Sequence, residues 1–217
     1  MQPRLHTKLK LILTASLQVL LLIPAAAWAA RPFFTDDARV VDQGHCQLET
    51  FYKEQRTYSG SEFWFLPACN PLGFEVTLAG NRIEGVRKEI LQAKFLLRPL
   101  EANGTGYALS LGAFGGDAYF NAIGSFSFLD DRAVVHANLG AFKSTGGTWG
   151  LGLEALLAPP RIYAILETFG QRGDKATLHY GIRYWVIPNR FQIDATRGEQ
   201  DPSPQRRFYS IGLRFIF

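Results

Sequence analysis

Arg207-Phe-Tyr-Ser-Ile-Gly-Leu-Arg-Phe-Ile-Phe217 closes the sequence, and its alternation decides the fold. Tyr209, Ile211, Leu213, Phe215 and Phe217 share one parity and are all large and apolar. Ser210, Gly212 and Arg214 share the other and are small or polar. Successive side chains of an extended chain point to opposite faces, so this strand has one greasy face and one wet face. Left at the edge of a soluble sheet it would invite aggregation. Against lipid, with both edges paired in a closed barrel, the same pattern is stable. The last strand of a soluble β-sandwich is the competing reading of this stretch alone.

Working back from that strand, the alternation recurs along the chain. Gln47–Tyr58 sets Glu49 and Lys53 against Leu48 and Tyr52. Glu62–Cys69 follows, and Gly73–Gly80 sets Glu75 against Val76 and Leu78. Arg87–Arg98 places Gln92, Lys94 and Arg98 opposite Leu91, Phe95 and Leu97. Strands at Tyr107–Gly115, Tyr119–Phe128 and Ala133–Phe142 continue the pattern; the last puts His136 and Asn138 on the polar parity. Glu154 opposes Leu153, and Glu167 opposes Leu166. In Lys175–Ile187, His179 and Arg183 alternate with Leu178, Tyr180, Ile182 and Tyr184. Gln192 and Asp194 then alternate with Phe191 and Ile193, and Arg214 closes the set. The reading is all-β: a transmembrane antiparallel up-and-down barrel of about twelve strands, with ten or fourteen as alternatives. The polar parity is expected to line the lumen.

The other end of the chain and its composition fit an exported protein. Arg4, Lys8 and Lys10 precede the uncharged apolar run Leu11–Ile23, and small residues at Ala27 and Ala29 follow. That order is a secretory signal peptide over 1–29, cleaved after Ala29. The run is short of the roughly 20 apolar residues of a membrane helix, and an uncleaved anchor is the alternative. The chain has 23 Lys+Arg against 19 Asp+Glu; three of the basic residues and none of the acidic ones precede Ala29, leaving 20 against 19. The basic balance therefore belongs to the signal and gives no footprint for nucleic acid. Residues 30–45 are irregular, a periplasmic leader or a plug in the barrel mouth, and 46–217 form the barrel.

Turns give an orientation. With the carboxy terminus placed in the periplasm, Pro188-Asn189, Pro159-Pro160, Asp130-Asp131 and Asn70-Pro71 fall on the periplasmic side, where connections are expected to be short. Gly198–Arg206, Gly170–Asp174, Ser144–Gly147 and Gln55–Ser61 fall outside, where loops are expected to be longer. Pro99–Gly106 breaks the rule. Cys46 opens the first strand and Cys69 closes the second, at the same end of one hairpin. In an oxidising compartment they are expected to form a disulfide, two free thiols being the alternative.

Two resemblances add to this. The terminal strand, with alternating aromatics and a final Phe217, resembles the assembly signal of bacterial outer-membrane barrels, which implies recognition by the barrel-assembly machinery through Tyr209, Ile211, Leu213, Phe215 and Phe217. Arg31-Pro-Phe-Phe-Thr-Asp-Asp-Ala-Arg-Val-Val-Asp-Gln-Gly-His-Cys-Gln-Leu-Glu-Thr-Phe51 resembles the opening of small outer-membrane proteins related to the meta-pathway phenol-degradation outer-membrane protein. That resemblance implies a Gram-negative outer-membrane barrel with a transport role. It assigns no catalytic residue and no substrate.

The function expected from these readings is a narrow or gated pore for small solutes. A structural or surface-interaction barrel that carries nothing is the alternative. A lipid hydrolase is a further one: His136 and Asn138 share a face, but no serine stands in an evident nucleophile context. No cofactor motif is present; Gly112, Gly115 and Gly116 lack the following helix that a phosphate loop needs.

Overall fold

The computed structural model describes residues 33–55, 60–200 and 207–217. The signal-peptide segment lies outside the described residues. Twelve strands follow one another: β1 Cys46–Gln55, β2 Ser61–Cys69, β3 Glu75–Ile83, β4 Val86–Arg98, β5 Thr105–Phe114, β6 Asp117–Phe128, β7 Ala133–Phe142, β8 Gly146–Ala158, β9 Ile162–Gln171, β10 Thr177–Ile187, β11 Phe191–Glu199 and β12 Arg207–Ile216. Each pairs antiparallel with its sequence neighbours, and β12 returns to β1 to close the barrel. Closure is continuous from Gln47 opposite Ile216 to Gln55 opposite Phe208, so neither terminal strand keeps a free edge.

The alternation explains why the sheet closes with this hand of residues outward. On β12, Phe208, Ser210, Gly212, Arg214 and Ile216 are buried, while Tyr209, Ile211, Leu213 and Phe215 between them are exposed. Around the wall, Leu78, Leu91, Leu139 and Leu151 are likewise exposed, a half or more of each surface being free. Their neighbours Thr77, Gln92, Asn138 and Gly152 are buried. The protein is apolar outside and polar inside, the inverse of a soluble domain.

Three expectations are corrected. Arg98 does not face inward. The register shifts between Leu96 and Arg98, which brings Arg98 opposite the exposed Tyr107 and leaves it exposed. The extra residue of a bulge reverses the parity beyond it. Strand β3 runs on to Ile83 rather than ending at Gly80. Loop length does not separate the two ends of the barrel. The end expected to carry long loops also carries two-residue turns at 84–85 and 115–116. Gly115 and Gly116 have φ of +59° and +86°, the left-handed pair that a tight hairpin requires.

At the end of the barrel that holds the carboxy terminus, Cys46 and Cys69 are directly opposed and joined by a disulfide, Cα to Cα 4.0 Å. The bridge spans 23 residues of sequence and stabilises by about 3 kcal/mol on the chain-entropy picture. It also anchors what comes before. Gly44 N–H donates to the Asn70 carbonyl and Asn70 N–H to the His45 carbonyl, so the chain enters β1 from a fixed corner.

Candidate functional site

Residues 33–41 run inside the barrel, and 42–44 are exposed at its end. This segment has no regular structure, yet Phe33, Thr35, Asp37, Ala38 and Val41 are all buried. A buried irregular backbone must find partners for its N–H groups. Here the wall supplies them. Both carboxylate oxygens of Glu167 accept from Phe34 N–H (2.9 and 3.0 Å), and one also accepts from Thr35 N–H (2.7 Å). Asn138 accepts from Asp36 N–H and donates back to the Asp36 carbonyl, both at 2.7 Å. Ser125 Oγ accepts from Ala38 N–H (2.9 Å) and Glu75 from Val41 N–H (3.0 Å). Asn70 Nδ2 donates to the Val41 carbonyl at 2.7 Å.

Side chains reinforce the docking. Lys94 Nζ reaches Asp36 at 3.0 Å and Asp37 at 3.9 Å. The Phe34 ring stacks on Phe169 with centroids 4.6 Å apart. Strand β8 makes room for the leader with inward glycines. A Cβ at Gly152 would lie 2.3 Å from the Phe33 ring, and one at Gly150 would lie 2.7 Å from Thr35 Oγ1. A side chain at either position would require Phe33 or Thr35 to shift.

The wall of β7–β11 holds most of the remaining charge in closed pairs. Arg183 is fully buried. Its Nη1 donates to Glu154 at 2.6 Å, and Nε and Nη2 fork onto the two oxygens of Asp194 at 3.1 and 3.2 Å. Gln192 Nε2 donates to Asp194 at 2.8 Å. His179 lies between Glu167 (2.6 Å) and Thr196 (2.7 Å). Opposite charges this close in a low-dielectric interior attract strongly, but each must first be desolvated, so such clusters hold only while every member is present.

Of the residues expected to point inward, Glu49, Lys53, Glu75, Gln92, Lys94, Asn138 and Arg214 do so beside the leader or across from it, and Glu154, Glu167, His179, Arg183, Gln192 and Asp194 form the paired wall. Arg214 faces Glu49 at 3.6 Å and also hydrogen-bonds Gln47; Lys53 pairs with Glu62 at 2.8 Å. Arg98 is left outside. The sequence reading missed three things: the side chains that dock the leader, the inward aromatics Phe51, Trp64 and Phe114, and Ser125 beside His136. Ser125 Oγ lies 2.8 Å from His136 Nδ1, and His136 Nε2 lies 3.6 Å from Glu154. This resembles a hydrolase trio in composition. With the leader docked, both Ser125 and His136 are fully buried, and Ser125 Oγ accepts from the leader's Ala38 N–H. The inward aromatics stack, with Trp64 between Phe51 (5.3 Å) and Phe114 (5.6 Å).

Beside the leader a cavity of about 490 Å³ remains, lined among others by Trp64, Phe114, Tyr119, Phe142, Gln92 and Ser110. A barrel interior, a leader threaded up it and a residual cavity are the geometry against which relatives can be compared. The family described as Uncharacterised conserved protein UCP029691 matches residues 17–217. The chain belongs to that family. It is not by description the family that the leader resembles. No curated protein matches the chain. Among solved structures, the KdgM porin in complex with disordered oligogalacturonate superposes with a TM-score of 0.61 at 11% identity, covering 78% of this chain and 98% of that one. The NanC porin gives 0.60 at 8% identity, covering 77% and 98%. The outer membrane protein Omp33 of Acinetobacter baumannii gives 0.54 at 9% identity, covering 80% and 98%. At these identities the likeness is one of fold: the family member shares the closed barrel of these proteins.

Proposed function

We propose that the protein is an outer-membrane barrel that forms a narrow, gated pore for small solutes, and that residues 33–44 are its gate. The observation that carries this is the leader's attachment. It is held largely by discrete hydrogen bonds to single side chains, with Ala38 packed against Ala108 and Ile123 as a small apolar contact. Hydrogen bonds of this kind exchange with water at a net cost of about 1 kcal/mol each, so the segment is removable without unfolding the barrel. Its far end is fixed at the Cys46–Cys69 corner. The porin fold of KdgM and NanC supports a passage role for this architecture. In this reading the exposed Leu, Ile, Phe and Tyr belt meets lipid. Residues 1–29 are a cleaved signal, and β12 is the strand handed to the barrel-assembly machinery. The leader's resemblance to proteins related to the meta-pathway phenol-degradation barrel supports the same class and assigns no cargo.

A filled interior also suits a barrel that carries nothing. Planar-bilayer recording on the mature protein, with and without residues 33–44, decides between them. A gated pore gives brief, small openings when intact and a several-fold larger, steady current without the leader. Silence from both proteins, each folded, rules out the pore.

A further inference from the structure

On the outer face of the barrel, a groove of about 930 Å³ runs across β2–β5 beside the 84–85 turn. Its edge at the rim is cationic. Arg82 on β3 and Arg87 on β4 are direct partners in the register, and both are exposed. Like charges directly opposed on neighbouring strands repel. Arg87 reaches Glu89 at 3.8 Å, with both side chains 80% exposed, so that pair is weak. Among the described residues Arg82 has no ion-pair partner.

Away from the rim the groove turns apolar. Phe63 and Phe65 flank it on β2, and Leu78 and Leu91 on β3 and β4, all exposed. Gly80, opposite Phe65, and Ala113, opposite Leu91, are its small residues. Packing does not demand a glycine at 80: a Cβ there would meet only the Lys88 carbonyl oxygen, at an ordinary 3.6 Å. The missing side chain leaves a trough between larger neighbours. From Arg82 to Leu78 the trough runs four residues, about 13 Å of strand, cationic at the rim and greasy toward the middle of the barrel.

The carboxy terminus lies at the opposite end, beside Cys46. In a barrel that keeps its termini in the periplasm, the Arg82–Arg87 rim therefore lies in the outer leaflet. Its occupant needs acyl chains for the trough and a strong anion for two guanidiniums. A phosphate monoester carries about −1.5 to −2 charges and three acceptor oxygens, enough for two arginines to fork onto. The phosphodiester of an ordinary phospholipid carries a single charge. We propose that this groove binds a phosphomonoester glycolipid of the lipid A class, with its phosphate on Arg82 and Arg87 and an acyl chain along Gly80. The proposal rests on the outer-membrane placement proposed above and is independent of the pore.

The test is native mass spectrometry of the mature protein refolded in detergent, with lipid A, phosphatidylglycerol, phosphatidylethanolamine and inorganic phosphate titrated in turn. The expected result is a lipid A molecule retained on each barrel, about tenfold more tightly than phosphatidylglycerol. Arg82→Ala combined with Arg87→Ala weakens it about tenfold or more. Gly80→Leu fills the trough and also weakens it. Glu89→Gln removes the neighbouring negative charge and tightens it. Arg172→Ala, at another turn of the same rim, leaves it unchanged, whereas general attraction of anionic lipid to rim cations would treat all three arginines alike. Folding of each variant is checked by heat-modifiable gel mobility. No retention of lipid A overturns the proposal. So does equal binding of phosphatidylglycerol or inorganic phosphate, retention untouched by the double substitution, or an equal loss with Arg172→Ala. A barrel that inserts into vesicles yet retains no lipid A loses the site and keeps its membrane placement; bound lipid A without bilayer current keeps the site and loses the pore.

Discussion

Two walls of one interior are built on opposite terms. Across β8–β11, Arg183, Glu154, Asp194, Glu167 and His179 are buried and bonded to one another or to the leader. Across β2–β7, nearer the 115–116 turn, Trp64, Phe114, Tyr119 and Phe142 leave a cavity of about 490 Å³. The strands are the same kind on both sides. The difference lies in which side chains occupy the inward parity. Charges that can pair draw the wall and leader together. Trp64 and Tyr119 donate instead to wall residues, Glu62 and Gln92. Both sides hold the plug, Glu167 from one and Glu75, Lys94, Ser125 and Asn138 from the other, and the aromatic stretch leaves room beside it.

The sharpest way to break this contrast is Arg183→Ala. It strands Asp194 and Glu154 as buried carboxylates, and the expected loss is about 3–5 kcal/mol of barrel stability, read as a lower urea midpoint. Removing Cys46 by Cys46→Ser is expected to cost about 3 kcal/mol, read in the same titration and reproduced by a reductant on the wild type. Glu167→Gln acts on the leader more than on the barrel. It removes the negative charge that holds Phe34 and Thr35 N–H, so the expected loss is about 1–2 kcal/mol of docking, or about tenfold more open time in bilayer recordings. On the aromatic wall, Tyr119→Phe deletes one hydrogen bond to Gln92, with about 1 kcal/mol or less expected in the urea midpoint and no change in gating. An equal effect of Tyr119→Phe and Arg183→Ala would erase the distinction between the walls.

The exterior was legible in the sequence because a two-residue period needs only local reading. Tyr209, Ile211, Leu213 and Phe215 point outward as their spacing requires, and the same arithmetic found each strand to within a few residues. It failed at Arg98, where one inserted residue reversed the parity and no residue type marks the insertion. The interior was legible only as a set of polar positions. Which of them pair is a matter of barrel register, as with Arg183 opposite Asp194 on the neighbouring strand and Glu154 two strands away. A plug was one of the two readings of residues 30–45, but the leader's partners were not legible, because they are single side chains far along the chain, Glu167 being 133 residues from Phe34. One signal was available: Gly150 and Gly152 stand on the inward parity of β8, where a wall with nothing against it has no need of two missing side chains.

Gating by the leader is tested most directly by stapling it to that strand. A Cβ built at Gly150 lies 3.4 Å from Thr35 Cβ, close to the roughly 3.5–4.5 Å of disulfides, so Thr35→Cys with Gly150→Cys places two thiols in bonding range. In single-channel recording the oxidised double variant should be silent, and a reductant that leaves wild-type current in place should restore its openings. Oxidised channels that conduct like the wild type, with the bond verified by mass, would mean that solutes pass without moving residues 33–44.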